Sequence, residues 1–137
     1  MIATLMLRLS VIILTLGMVA GMIMGAQHDF MLAPAHAHLN LVGGVLMFIF
    51  GLYYRLVPGA AEGVLPKVQA TLHVLGAVVF PLGIAVVLVN GPSAEIFPIA
   101  GGMIVLIATL LFAIVVFRRE APVAAASDLR LNAQVSR

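Results

Sequence analysis

Four apolar runs, each long enough to cross a lipid bilayer, take up most of this 137-residue chain. The hydrocarbon core of a bilayer is about 30 Å thick, and a helix needs about 20 apolar residues to cross it. We place the four spans at residues 2–26, 34–56, 68–89 and 96–117. The sequence therefore predicts an all-α, polytopic membrane protein whose first partner is the lipid bilayer.

The composition agrees with this class and excludes several others. Hydrophobic residues make up 64% of the chain and charged residues 9%, whereas a soluble domain is roughly half apolar and about a quarter charged. The net charge is only +2, so we expect no nucleic-acid partner. The chain contains no cysteine, which excludes disulfides, thiolate metal sites and covalently attached heme.

The connections between the spans are short, which predicts antiparallel neighbours in an up-down four-helix bundle formed by residues 1–118. Residues 119–137 mix small and polar side chains without a sustained apolar face, which predicts a mostly disordered, flexible cytoplasmic tail. A secretory signal peptide is the alternative interpretation of the first span. Its apolar core is longer than the roughly 7–15 residues typical of such peptides, so we expect a retained helix.

The basic residues predict the orientation of the bundle, because loops on the cytoplasmic side of a membrane are enriched in Lys and Arg. The basic side chains that mark one side are Arg8, Arg55, Lys67, Arg118 and Arg119. The opposite loops carry His28, Asp29 and Glu95 and no basic residue. We therefore expect a multi-pass protein of the bacterial inner membrane with both termini in the cytoplasm.

Glycines recur every four residues in the first span, at Gly17, Gly21 and Gly25 of the stretch GMVAGMIMG. Such a small-xxx-small pattern allows two helix backbones to approach closely in lipid. We interpret it as a packing face toward a neighbouring helix or toward another copy of the chain. Space for a flat cofactor is the alternative.

The second span opens with HAHLN, residues 36–40. At about 100° per residue, His36, Asn40 and Gly43 fall on one helical face and His38 on the opposite face. Polar side chains inside a membrane normally face protein. We therefore expect His36 to point into the bundle or a subunit interface, beside a slot at Gly43. We expect His38 to point away, toward headgroups or water.

A neutral imidazole beside such a slot has the chemistry of an axial ligand to heme iron; a histidine satisfied by hydrogen bonds alone is the alternative. Residues two apart on a helix point about 200° apart, so His36 and His38 can chelate one metal ion only if the first turn is not helical. With such a turn, His28, His36 and His38 are candidate copper or zinc ligands.

His73 lies on an interior face of the third span, toward the other side of the membrane from His36. At about 1.5 Å per residue the two histidines differ in depth by roughly 15 Å, whereas trans axial nitrogens on one iron lie only about 4 Å apart. We therefore favour packing as the role of His73. Two copies of His36 from a symmetric homo-oligomer fit a shared heme better.

The stretch HAHLNLVGGVLMFIFGLYYRLVP resembles the second transmembrane helix of the heme-copper oxidase subunit I superfamily, in particular of the nitric oxide reductase large subunit and the C-type oxidases. In those proteins this helix begins near the outer face with a histidine that ligates the low-spin heme, followed closely by an asparagine. The resemblance implies heme b, with His36 or His38 as the ligand and Asn40 beside it. The spacing from Tyr53 and Tyr54 favours His36, whereas the local pattern His-Leu-Asn favours His38 with Asn40. The helical wheel decides for His36.

The resemblance covers about one helix. A full subunit I has at least twelve spans and a second metal centre, which a chain with four histidines cannot build. We therefore expect no complete oxidase activity. We expect a small subunit I-like protein in respiratory electron transfer or in heme and oxidase assembly, with oxidase subunits as candidate partners. The alternatives are a cofactor-free accessory subunit and an outer-side copper or zinc protein.

Overall fold

The computed structural model describes residues 1–135, and the side chains of residues 1–118. This part of the chain forms four long helices, joined by short turns, and contains no strand. The helices are α1, Ile2–Gln27; α2, Ala33–Leu56; α3, Leu65–Asn90; and α4, Ile96–Val135. All four carry a stretch long and apolar enough to cross a membrane. The predicted all-α, four-span architecture is confirmed.

The turns between the helices are as short as the sequence predicts. His28 follows the last residue of α1 and caps the helix in the left-handed conformation, with a φ of 54°. A short 3-10 turn, Pro58–Ala61, leads from α2 to α3. Gly91 ends α3 with a φ of 82°, a conformation that glycine adopts without strain. These tight reversals make each helix antiparallel to the one before it.

The backbone of α4 is helical up to Val135, and so runs through most of the segment 119–137 for which the sequence predicts a flexible tail. The apolar part of the helix ends at Arg118, where we placed the end of the bundle. Residues 136–137 lie outside the described part of the chain, as do the side chains after Arg118. The flexibility of the tail stays a prediction.

Helix α2 lies between α1 and α3, and the most extensive helix pair is α3 with α4. Helix α4 reaches the second half of α2 through Phe112, whose ring stacks on Phe50 with the centroids 3.9 Å apart. The α3–α4 contact depends on glycine: Gly83 lies against the backbone of Phe97, and Gly101 against the backbone of Phe80. The bundle is therefore held by close backbone contacts as well as by side-chain packing.

Most of the surface of the four spans faces outward and is apolar. Between 11% and 39% of the residues in each span are buried within the chain. The exposed side chains include Met18 and Met22, which are 69% and 71% exposed. Aliphatic surface of this extent on every helix fits contact with lipid in a multi-pass membrane protein.

Candidate functional site

A cavity of about 570 Å³ lies between α1, α2 and α3 at the end of the bundle that carries His28, His36 and His38, here called the histidine end. Its volume is within the range of about 300–1,000 Å³ that is usual for small-molecule sites. Aliphatic and thioether side chains form most of its wall. They include Ala20 and Met24 from α1, Leu39 from α2, and Pro81 and Leu82 from α3. His36 is the one imidazole among its lining residues.

His36 is half-buried and points from α2 toward α1. A β-carbon added at Gly21 would lie 3.3 Å from both Cε1 and Nε2 of the ring. The missing side chain at Gly21 is therefore what lets the imidazole lie against α1. His36 is on the inward side that the helical wheel predicts.

Asn40 follows His36 by one turn and bonds to it. Its amide nitrogen is 3.1 Å from Nε2 of His36, close enough to donate a hydrogen bond. The amide oxygen is buried without a hydrogen-bond partner and lies against Gly17. Gly17 and Gly21 therefore receive the side chains of Asn40 and His36, so this part of the glycine pattern is a contact within one chain.

The slot expected at Gly43 is filled, which corrects that prediction. A β-carbon at Gly43 would lie 3.1 Å from Cδ1 of Ile13 and 3.6 Å from Cβ of Ala77. Gly44 faces the side chain of Leu14 in the same way. The wheel identifies the small face of α2, but antiparallel α1 places bulky aliphatic side chains at that depth. The open space beside His36 lies toward the histidine end instead.

His38 does not point toward headgroups or water, as we expected, but toward α3. It is half-buried, and its ring meets Phe80 edge to face with the centroids 5.0 Å apart. Its Nδ1 donates a hydrogen bond of 2.8 Å to the carbonyl oxygen of Pro34. The prediction was wrong because α2 has a neighbouring helix on both sides, so opposite faces of its first turn both meet protein.

The three histidines proposed as copper or zinc ligands do not converge. His36 faces α1, His38 faces α3, and His28 is exposed at the end of α1. Among the described residues there is no group of three His, Cys, Asp or Glu side chains that could hold a metal ion. The start of α2 is helical from Ala33 to His38. Because residues two apart on a helix point in nearly opposite directions, we expect no His-x-His chelate here.

A second polar cluster, which sequence reasoning did not find as a unit, lies deeper in the bundle. The hydroxyl of Tyr54 donates a 3.0 Å hydrogen bond to Oε1 of Gln69, and both residues are buried. One turn along α3, Nε2 of the fully buried His73 donates to the carbonyl oxygen of Val42 at 3.1 Å. The spacing of four residues between Gln69 and His73 is the signal that places them on one face.

Val42 belongs to a π-helical segment of α2, Leu39–Leu46, between two α-helical parts. Here the amide of Met47 donates to the carbonyl of Val42, five residues back. The wider turn of a π-helix re-aims backbone groups, and such segments are frequent at functional sites. In this chain the carbonyl of Val42 also accepts the bond from His73, which ties α2 to α3 and supports the packing role expected for that histidine.

Replacing Tyr54 by phenylalanine is expected to lower the free energy of unfolding by about 1–3 kcal/mol, because the buried oxygen of Gln69 would lose its donor. Tyr53→Phe is the matched control, since the Tyr53 hydroxyl makes no hydrogen bond with any of the described residues. Unfolding of the detergent-solubilised protein, followed by circular dichroism, compares the two variants. Equal effects at both positions would contradict the expectation.

Comparison of the chain with protein-family models, with curated proteins and with solved structures finds no match. The function therefore has to be inferred from the chemistry of these two polar clusters and of the cavity.

Proposed function

We propose that this protein binds heme b at the histidine end of the bundle, with His36 as an axial ligand, and acts in respiratory electron transfer or in heme and oxidase assembly. The observation that supports the proposal is the position of His36 in the wall of the 570 Å³ cavity. An imidazole nitrogen is a common axial ligand of heme iron. The resemblance of HAHLN and the residues after it to a heme-binding helix points to the same side chain.

The residues around the cavity fit a heme in their chemistry. The wall is mostly aliphatic, which suits the apolar faces of a porphyrin. The amide nitrogen of Asn40 lies 3.1 Å from Nε2 and 3.5 Å from Nδ1 of His36, and so contacts both ring nitrogens. A neutral imidazole binds a metal through the ring nitrogen that carries no proton. Binding through Nε2 requires the Asn40 amide to turn away from the ring.

When bound, heme b would supply a one-electron iron couple, and the protein's residues would position it. His36 would hold the iron, while the walls from α1 and α3, such as Met24 and Leu82, would enclose the ring and lower the local dielectric constant. His38 and His73 are directed elsewhere, His38 to Phe80 and His73 to Val42. A second histidine to hold the iron would therefore come from another copy of the chain, which makes a homo-oligomer part of the proposal.

The proposed location is the bacterial inner membrane, with the histidine end on the periplasmic side. Arg8 near the start of α1, Arg55 at the end of α2 and Lys67 at the start of α3 lie at the opposite end of the bundle, here called the arginine end. Basic residues at one end favour the cytoplasmic side for that end. Both chain termini would then be cytoplasmic.

The test is an absorption spectrum of the full chain purified from heme-replete cells. We expect a Soret band, and split α and β bands after reduction. His36→Gln should remove these bands, whereas His38→Gln, two residues away, should keep them. Circular dichroism and size-exclusion chromatography show whether each variant is folded. Colourless wild-type protein, or full heme content in a folded His36→Gln variant, would overturn the proposal.

A cofactor-free accessory subunit is the second candidate, and a specific observation favours it. His36 and Asn40 already bond to each other and pack against Gly21 and Gly17, so the polar pair also works as a helix-packing unit. This function predicts a colourless protein that co-purifies with oxidase subunits. Its association with them should survive His36→Gln as long as the bundle stays folded.

A further inference from the structure

A groove of about 610 Å³ lies at the arginine end of the bundle, between the first turns of α1 and the end of α2. The lining residues are Thr4, Leu7, Arg8, Val11, Ile12 and Arg55. This arginine groove thus combines two guanidinium groups from two different helices with a hydroxyl group and three aliphatic side chains. It lies at the opposite end of the bundle from the cavity beside His36.

Both arginines line this groove because α1 and α2 touch at Gly51. A β-carbon at Gly51 would lie 3.2 Å from the backbone nitrogen of Leu7. Arg8 follows Leu7 directly, and Arg55 comes one turn after Gly51 on the same face of α2. The close crossing therefore places two positive side chains in the lining of one groove, and an anion bound there would lower their mutual repulsion.

Neither arginine is neutralised within the described part of the chain. Arg8 and Arg55 are both exposed, and no ion pair with a described carboxylate involves either of them. The groove therefore carries two positive charges beside apolar surface. That charge pattern is complementary to a molecule with an anionic head and an apolar body.

The order of residues along α1 matches the depth profile of a lipid. Arg8 is about 9 Å along the axis from the start of the helix, at 1.5 Å per residue, and its stem can carry the guanidinium back to the interface. Val11 and Ile12 follow one turn deeper and are 52% and 55% exposed. Charged groups are thus followed, about one turn farther along α1, by aliphatic surface, which is the order of a lipid's headgroup and its acyl chains.

We propose that the arginine groove is a binding site for an anionic phospholipid. The phosphate lies between Arg8 and Arg55, the hydroxyl of Thr4 borders it, and an acyl chain lies along Val11 and Ile12. Guanidinium groups bind phosphate through paired hydrogen bonds, and basic pockets between transmembrane helices are typical sites for anionic headgroups. The bound lipid links α1 to α2 on their lipid-facing side. This site is independent of heme binding.

The test measures the affinity of the full chain, purified in a mild detergent, for cardiolipin, phosphatidylglycerol and phosphatidylcholine, by native mass spectrometry and thermal unfolding. We expect the protein to retain cardiolipin and phosphatidylglycerol and to be stabilised by them. We expect neither effect with phosphatidylcholine. The Arg8→Gln/Arg55→Gln variant should bind them about thirtyfold more weakly, since each basic residue near an anionic lipid contributes about fivefold. Both side chains are exposed, so this variant should stay folded.

The matched control is Lys67→Gln/Arg118→Gln, which removes the same charge from the arginine end of the bundle but outside the groove. It should retain the wild-type affinity. An equal loss in both double variants would show attraction by net charge alone and would overturn the site. Stabilisation by inorganic phosphate to the same extent as by cardiolipin would also overturn it, because the aliphatic half of the groove would then have no role.

Discussion

Replacing Gly101 by alanine is expected to destabilise the bundle by about 2–3 kcal/mol, the upper part of the range for overpacking a core. The added β-carbon would lie 2.5 Å from Cα and 2.7 Å from the backbone nitrogen of Phe80. Backbone atoms cannot rotate aside as a side chain can, so α3 and α4 would have to separate along their contact. Unfolding of the detergent-solubilised protein by a denaturing detergent, followed by circular dichroism, gives the change in stability.

The neighbouring glycine provides the matched control. A β-carbon at Gly102 would lie no closer than 3.5 Å to the ring of Phe80, an ordinary contact. Gly102→Ala should be neutral or stabilising by up to about 1 kcal/mol, because alanine favours the helix. Gly83→Ala should behave like Gly101→Ala, since its β-carbon would lie 2.6 Å from the nitrogen of Pro98. Similar stabilities for Gly101→Ala and Gly102→Ala would refute the proposed backbone contact.

The second large effect is expected at Gly17, where an alanine β-carbon would occupy the space of the Asn40 amide. Asn40 would have to leave this site and would lose its bond to His36. Displacing a buried amide and repacking α1 against α2 should together cost about 1–3 kcal/mol. Gly25→Ala is the control from the same glycine pattern, because nothing lies within 4 Å of the β-carbon position there.

A double-mutant cycle separates this contact from a general effect of alanine in α1. Asn40→Ala removes the amide that the new β-carbon would strike, so the Gly17→Ala/Asn40→Ala variant should be more stable than the sum of the two single changes predicts. We expect a coupling of about 1 kcal/mol or more, as for residues in direct contact. Additive effects, measured by the same unfolding experiment, would show that Gly17 and Asn40 do not share this site.

The positions of the helices could be predicted closely from hydropathy. The first span, predicted at 2–26, is Ile2–Gln27, and the second, predicted at 34–56, is Ala33–Leu56. The third begins at Leu65 rather than at 68, because Pro66 is suited to the first turn of a helix and extends it beyond the apolar run. The ends of this helix, which depend on local caps and turns, are what differs from the prediction.

The site could be predicted only in part. The helical wheel places His36 and Asn40 on the inward face of α2, and the structure shows both against α1. The wheel also predicts a free slot at Gly43 and an outward His38, and both predictions were wrong. A wheel describes one helix, whereas the neighbours that fill or cover its faces belong to other helices. The buried pair of Tyr54 and Gln69 escaped prediction for the same reason, since its members are on α2 and α3.

The sequence by itself determined that the described part of the chain has four long helices, where their apolar stretches lie, and that each is apolar enough to cross a membrane. An apolar run satisfies its backbone hydrogen bonds only within its own helix when it lies in lipid, so these features are local. Only the tertiary structure decided that Gly17 and Gly21 receive Asn40 and His36, while Gly43 receives Ile13. Which side chain meets which glycine depends on the axial offset between antiparallel helices, and that offset arises from the packing of the whole bundle.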